Sequence, residues 1–191
     1  TGTTYTTPEL SENTTYYIQQ MFQGSEFNGG ETDNSEGGSY VTNTTDNYLI
    51  FNCTQECTLQ TVKVYADGAG TRTIYLKSSM GQILASSDIY IEDGMQIIEL
   101  NFGIPVGTNM RLGCSPTANL FRGSVGIFDN FDFPYSIGGV IELVRSNEVW
   151  WGDGTKYYAY FYDWNIKLPD CYSERTPLNI YVNEEAVAGF S

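Results

Sequence analysis

Apolar and polar residues alternate with a period of two through most of the chain. Leu59-Gln-Thr-Val-Lys-Val-Tyr65 reads this way, Ala66-Asp-Gly-Ala-Gly70 supplies turn residues, and Thr71-Arg-Thr-Ile-Tyr-Leu76 runs back. Period-two alternation puts successive side chains on opposite faces of a pleated strand, and Asp-Gly marks a tight turn, so residues 59–76 predict a β-hairpin. Further strands are expected at 40–43, 48–51, 83–85, 88–91, 96–102, 110–114, 120–122, 127–133, 140–144 and 157–167. Turn residues recur about every 8–12 residues and no segment carries a helical period, which argues for two packed antiparallel sheets, a β-sandwich most simply of jelly-roll form.

The ends repeat the strand pattern without a core of their own. Residues 3–7 and 14–18 are rich in Thr and Tyr and are separated by Pro8, which bars a continuous ladder, while 175–183 alternates again. A two-stranded ribbon is marginal alone, so these strands are expected to belong to another sheet. Between Gln23 and Gly38, five glycines interrupt every apolar run and read as a linker. The expected organisation is therefore terminal strands over 1–22, a Gly/Asn-rich linker over 23–38, the sandwich over 39–169, and a further strand within 170–191.

Composition narrows the partners. A chain of 191 residues that is 41% hydrophobic and 15% aromatic suits one principal domain. Nine Lys and Arg against 23 Asp and Glu give a net charge of -14, which repels phosphate backbones and anionic headgroups, so neither nucleic acid nor a membrane surface is an expected partner. No apolar stretch approaches the roughly 20 residues of a membrane-spanning helix, and the start has no basic leader region. The chain is expected to be soluble as given, any export signal having been removed or lying upstream.

Candidate chemistry is sparse. The absence of histidine excludes nucleophilic catalysis of the Ser-His or Cys-His kind. Glu92, Asp93, Asp129, Asp132, Glu142 and Asp163 show no spacing that singles out an acid and a nucleophile for glycoside hydrolysis, so no catalytic residue and no enzyme activity is expected. Four cysteines, Cys53, Cys57, Cys114 and Cys171, allow three pairings. Cys53 and Cys57 would lie about 13 Å apart in a regular strand, so a bond between them requires a turn, for which Gln55 and Glu56 are suited. The same spacing as half a zinc site finds no complement.

Two constellations remain. In a continuous strand 157–167, Tyr158, Tyr160, Tyr162 and Trp164 share one face and Tyr157, Ala159, Phe161 and Asp163 the other. Core packing is favoured for this strand, but an exposed face carrying Tyr158 and Tyr160, or Trp150 and Trp151 in the loop before it, would form a platform on which sugar rings stack. Asp67, Asp129 and Asp132 lie in turn-rich segments that would suit a structural calcium ion, the one cofactor considered. The competing reading, favoured for all three, is a turn residue at Asp67 and a solvated loop at Asp129 and Asp132. Asn13, Asn43 and Asn52 also match the N-glycosylation pattern, a weak signal in so Asn- and Thr-rich a chain.

Residues 49–167, through Leu59 to Ile74, Leu100-Asn-Phe-Gly-Ile-Pro-Val-Gly-Thr-Asn109, Phe133-Pro-Tyr-Ser-Ile137 and Tyr160-Phe-Tyr-Asp-Trp164, resemble the jelly-roll module of very large secreted surface proteins of Bacteroidetes bacteria. Thr3 to Pro8 with Asn13 to Tyr17 resembles the closing strands of an immunoglobulin-like module, and Cys171 to Pro177 the opening strand of the next. Cys53, Cys57 and Cys114 fall outside that pattern, so disulfides among them would be particular to this chain. The resemblance implies an extracellular or cell-surface location on a secreted bacterial protein. It also implies a structural or adhesive role, with neighbouring modules or other copies joined end to end. Strand addition through the terminal segments would make the chain a filament subunit. The alternative is a carbohydrate-binding module that directs a secreted enzyme to polysaccharide.

Overall fold

The computed structural model describes residues 4–42, 45–126, 128–149 and 152–183. Among these residues there are seventeen strands and no helix. The first four are β1 (Thr14–Ile18), β2 (Met21–Phe22), β3 (Glu26–Gly29) and β4 (Gly38–Val41). Then come β5 (Asn47–Cys53), β6 (Cys57–Ala66), β7 (Gly70–Lys77), β8 (Ile83–Ile91), β9 (Gly94–Ile104) and β10 (Gly107–Cys114). The rest are β11 (Leu120–Ser124), β12 (Tyr135–Ile137), β13 (Ile141–Ser146), β14 (Tyr157–Ala159), β15 (Tyr162–Lys167), β16 (Cys171–Tyr172) and β17 (Thr176–Ile180). Two compact units result, a body over 24–169 and a terminal unit made of 1–23 and 170–191.

The body holds two antiparallel sheets. One runs β12-β13-β5-β10-β7-β8; the other runs β14-β11-β6-β15-β3, with β4 added to β11 and β9 to β6. Their inward positions form one shared core that includes Leu49, Phe51, Leu59, Val62, Val64, Leu76, Phe102, Leu112, Leu143 and Trp164. Phe51 of the first sheet meets Trp164 of the second edge-on, with ring centroids 5.3 Å apart. Burial of each such side chain stabilises the fold by about 1.5–3 kcal/mol, which is why the alternating pattern is read so strictly in β9, where Ile98, Leu100, Phe102 and Ile104 point inward in turn. In β6 the strict alternation fails between Leu59 and Val62, and a bulge between Leu59 and Thr61 returns both to the buried face.

The expected hairpin over 59–76 does not form. β6 and β7 lie in opposite sheets, and Asp67-Gly-Ala69 carries the chain across the core rather than back along one sheet. Arg72 holds this crossing from below. Its guanidinium is buried and donates to the carbonyls of Gly68, Gly70, Ile91 and Ala118 at 2.6 to 3.0 Å. The true hairpin is β7–β8, closed at Ser78 to Gln82, where the Gly81 N–H donates to the Ser78 carbonyl at 3.0 Å. Alternation reports which face a residue takes; it carries no information on which strand will be its neighbour.

The segment read as a linker is also structured. β3 pairs with β15, placing Phe27 opposite Ile166 and Gly29 opposite Trp164, and Phe27 packs on the core. Its glycines are there for close approach. A Cβ on Gly29 would lie 2.9 Å from Ile137 Cγ1, and one on Gly30, whose φ is +83°, would lie 2.6 Å from the Tyr158 hydroxyl. The apolar run at 127–133, by contrast, forms no strand among its described residues.

In the terminal unit, β1 pairs with β17 from Thr14 opposite Ile180 to Ile18 opposite Thr176, and β2 pairs with β16 through Phe22 opposite Cys171. The two ends, expected to pair with other sheets, are thus hydrogen-bonded to each other. Residues 4–7 form no strand.

Candidate functional site

The aromatic segment 157–167 was the first candidate binding surface, and its backbone decides its fate. It is two strands, β14 and β15, broken where the Phe161 N–H donates to the Ala159 carbonyl at 2.7 Å across Tyr160, whose φ is +63°. That bond closes a tight three-residue turn of the γ kind. The turn lets side chains on both sides of the break point inward, so Tyr158, Ala159, Phe161, Tyr162 and Trp164 are all fully buried and Tyr160 is only 3% exposed. Tyr158 stacks on Phe133 at 5.6 Å, and its hydroxyl accepts a hydrogen bond from the Glu31 N–H at 3.1 Å. The Tyr160 hydroxyl accepts from Asn47 Nδ2 at 2.9 Å. Burial pushes the Tyr160 phenol up to about 12 and that of Tyr158 well above its ordinary value. Neither ring can stack on a sugar from solvent: the core packing favoured for this strand is what the structure has, and the alternative platform at Tyr158 and Tyr160 is not a surface at all. Trp150 and Trp151 lie outside the described residues.

The acidic candidates are spread over two loops. Asp67 sits in the β6–β7 crossing with its N–H donating to the Asn119 carbonyl at 3.1 Å, and Asp93 accepts from the Gly68 N–H at 2.7 Å. Asp129 and Asp132 are exposed. The Asp129 carbonyl accepts from Lys156 Nζ at 2.8 Å, and the Asp132 N–H donates to the Tyr135 hydroxyl at 3.2 Å. Among the described residues, no group of three or more His, Cys, Asp or Glu is placed to hold a metal ion. The observed partners of these aspartates are those of turn and loop residues.

A different surface emerges in the terminal unit. None of its described residues is buried. Tyr5 is 76% exposed, Tyr17 64%, Ile18 57% and Leu178 46%. Together with Tyr16 and Ile180 they line a groove of about 590 Å³, in which the Tyr5 and Tyr16 rings lie 6.0 Å apart. The ribbon is held by its ladder and by polar links: Thr15 Oγ1 donates to Asn179 Oδ1 at 2.8 Å, the Val182 N–H to Asn13 Oδ1 at 2.9 Å, and Gln19 Nε2 to the Ser173 carbonyl at 2.8 Å. Among the described residues β1 and β17 each pair on one side only, so that each presents its other edge of backbone donors and acceptors without a described partner. Such an edge beside exposed tyrosines and aliphatic side chains is what an added strand needs: main-chain bonds for affinity and alternating side chains for fit.

The Thr/Tyr alternation of the ends was visible as strand character, but the pairing of residues 14–18 with 176–180 spans almost the whole chain and leaves no local signal. No family model matches this chain, and no curated protein or solved structure matches it either.

Proposed function

We propose that this chain is a non-catalytic structural or adhesive module of an extracellular or cell-surface bacterial protein, joined end to end with further copies through its terminal strands. The observation that carries the reading is the contrast between a closed core and a terminal ribbon with two open edges and no buried residue among those described. A ribbon of two strands gains little stability alone, and addition of a strand from another copy would satisfy its edge groups and cover Tyr5, Tyr17 and Leu178. Because the contact would pair one surface with a different one, it is head-to-tail and extends rather than closes.

Sedimentation velocity over a wide concentration range tests this. The chain of 21.3 kDa is expected to form progressively larger species, and the double variant Tyr17→Asp/Leu178→Asp to remain monomeric. A single monomeric mass for the unaltered chain throughout would remove the self-assembly reading.

The second reading, a carbohydrate-binding module, draws on the exposed rings of Tyr5 and Tyr17 and on Trp150 and Trp151 rather than on Tyr158 and Tyr160. A polysaccharide pull-down with Trp150→Ala, Trp151→Ala and Tyr5→Ala separates the two. Retention lost in these variants supports glycan binding; no retention of the unaltered chain removes it.

A further inference from the structure

Cys53 closes β5 and Cys57 opens β6, so the exposed residues Thr54, Gln55 and Glu56 carry the chain from one sheet to the other. Both cysteines are 2% exposed and belong to the shared core. The crossing is anchored by Thr54, whose N–H donates to the Val140 carbonyl at 2.9 Å and whose Oγ1 lies 3.2 Å from the carbonyls of Gly139 and Val140. It brings together two sulfurs that a continuous strand would separate. The Cys53 thiol donates to the Gln55 carbonyl at 3.0 Å; both thiols are free and buried, and each lies close enough to the other to shift its acidity.

No other thiol of the body competes for either one. Cys114 is in register with Asn47, whereas Cys53 lies at the far end of β5, six residues and about 20 Å along the strand. Cys171 belongs to the terminal unit.

We propose that Cys53 and Cys57 form a disulfide site, a covalent staple joining the two sheets where the chain crosses between them. The oxidant is a disulfide such as oxidised glutathione. One cysteine thiolate attacks it and expels a glutathione thiolate; the second cysteine thiolate then attacks the mixed disulfide and expels the other. Two protons and two electrons leave the cysteine pair, and one disulfide is exchanged for another. Desolvation raises the Cys57 thiol to about 12 and raises Cys53 as well, so few thiolates exist once the core has closed. The bond is therefore made while the crossing is still forming, and the folded dithiol is slow to oxidise.

The test is oxidative refolding. The full chain is unfolded in reductant, refolded with a mixture of oxidised and reduced glutathione, blocked with iodoacetamide, and weighed and peptide-mapped without reduction. The expected result is two alkylated cysteines of the four, Cys114 and Cys171, with residues 53 and 57 bridged. Adding the same glutathione mixture to chain already folded in reductant is expected to form the bridge at least about tenfold more slowly. Four alkylated cysteines after oxidative refolding, or a bridge to Cys114 or Cys171, would overturn the proposal. The map is made on the unaltered chain, so it does not depend on a variant that folds, and it is indifferent to what the terminal strands bind.

Discussion

The body and the terminal ribbon are written in the same residues, alternating Thr, Tyr and aliphatic side chains, yet one is closed and the other open. In β15, Tyr162, Trp164 and Ile166 point into a space already lined by the opposite sheet and lose all contact with water. In β1, Thr14, Tyr16 and Ile18 point away from Thr15 and Tyr17 just as regularly, and none of the five is buried. Strand formation is thus a local matter, whereas burial depends on what the rest of the chain places above the strand. The body is expected to be stable by itself and the ribbon to depend on what is added to it.

Substitutions should divide accordingly. Trp164→Ala removes the largest fully buried side chain among the described residues, its edge-on contact with Phe51, and the 2.8 Å hydrogen bond from Nε1 to the Phe161 carbonyl. A loss of about 3–5 kcal/mol in urea unfolding is expected. Arg72→Met strips four carbonyls of their donor at the β6–β7 crossing and should cost about 3 kcal/mol, with Arg72→Lys falling between because an ammonium cannot fork to all four. Gly30→Ala forces a Cβ onto the Tyr158 hydroxyl from a left-handed backbone and should cost about 2 kcal/mol. Tyr17→Ala, in the ribbon, is expected to change unfolding by no more than about 0.5 kcal/mol while reducing association in sedimentation. A ribbon substitution that destabilised the chain as much as Trp164→Ala would break the comparison.

Alkaline pH sharpens the same contrast. The phenols of Tyr158, Tyr160 and Tyr162 are all raised by burial, that of Tyr160 from 10.0 to about 12. The unfolded chain therefore loses these protons first. The stability they contribute is complete below pH 10 and falls as pH rises toward 12. Absorbance near the tyrosinate band, followed together with circular dichroism, should show these phenols ionising only as the body unfolds.

Much of the body was legible in the pattern of residues, and the misreadings have specific physical causes. Leu59 to Tyr65 and Thr71 to Leu76 are strands as their alternation predicts, but they face each other across the core instead of sharing a sheet. Gly24 to Gly38 looked like a linker because glycine breaks strands in general; Gly29 and Gly30 are required because Ile137 and Tyr158 pass too close for a side chain. Tyr158 and Tyr160 pack in the core, as favoured for this strand; alternation in an unbroken strand puts Ala159 and Phe161 on the opposite face, and the turn at Tyr160 buries them as well. The ribbon is the extreme case. Its strands are local, but their partners are more than 150 residues away and no spacing rule reaches that far.

Hydrogen exchange of the unaltered chain, followed by mass spectrometry at low and at high concentration, tests the contrast most directly. Peptides covering 57–66 and 70–77 should be protected at both concentrations. Those covering 14–18 and 176–180 should exchange at once in dilute solution and gain protection as concentration rises. Terminal strands as protected as the core in dilute solution, or unprotected at every concentration, would contradict the account.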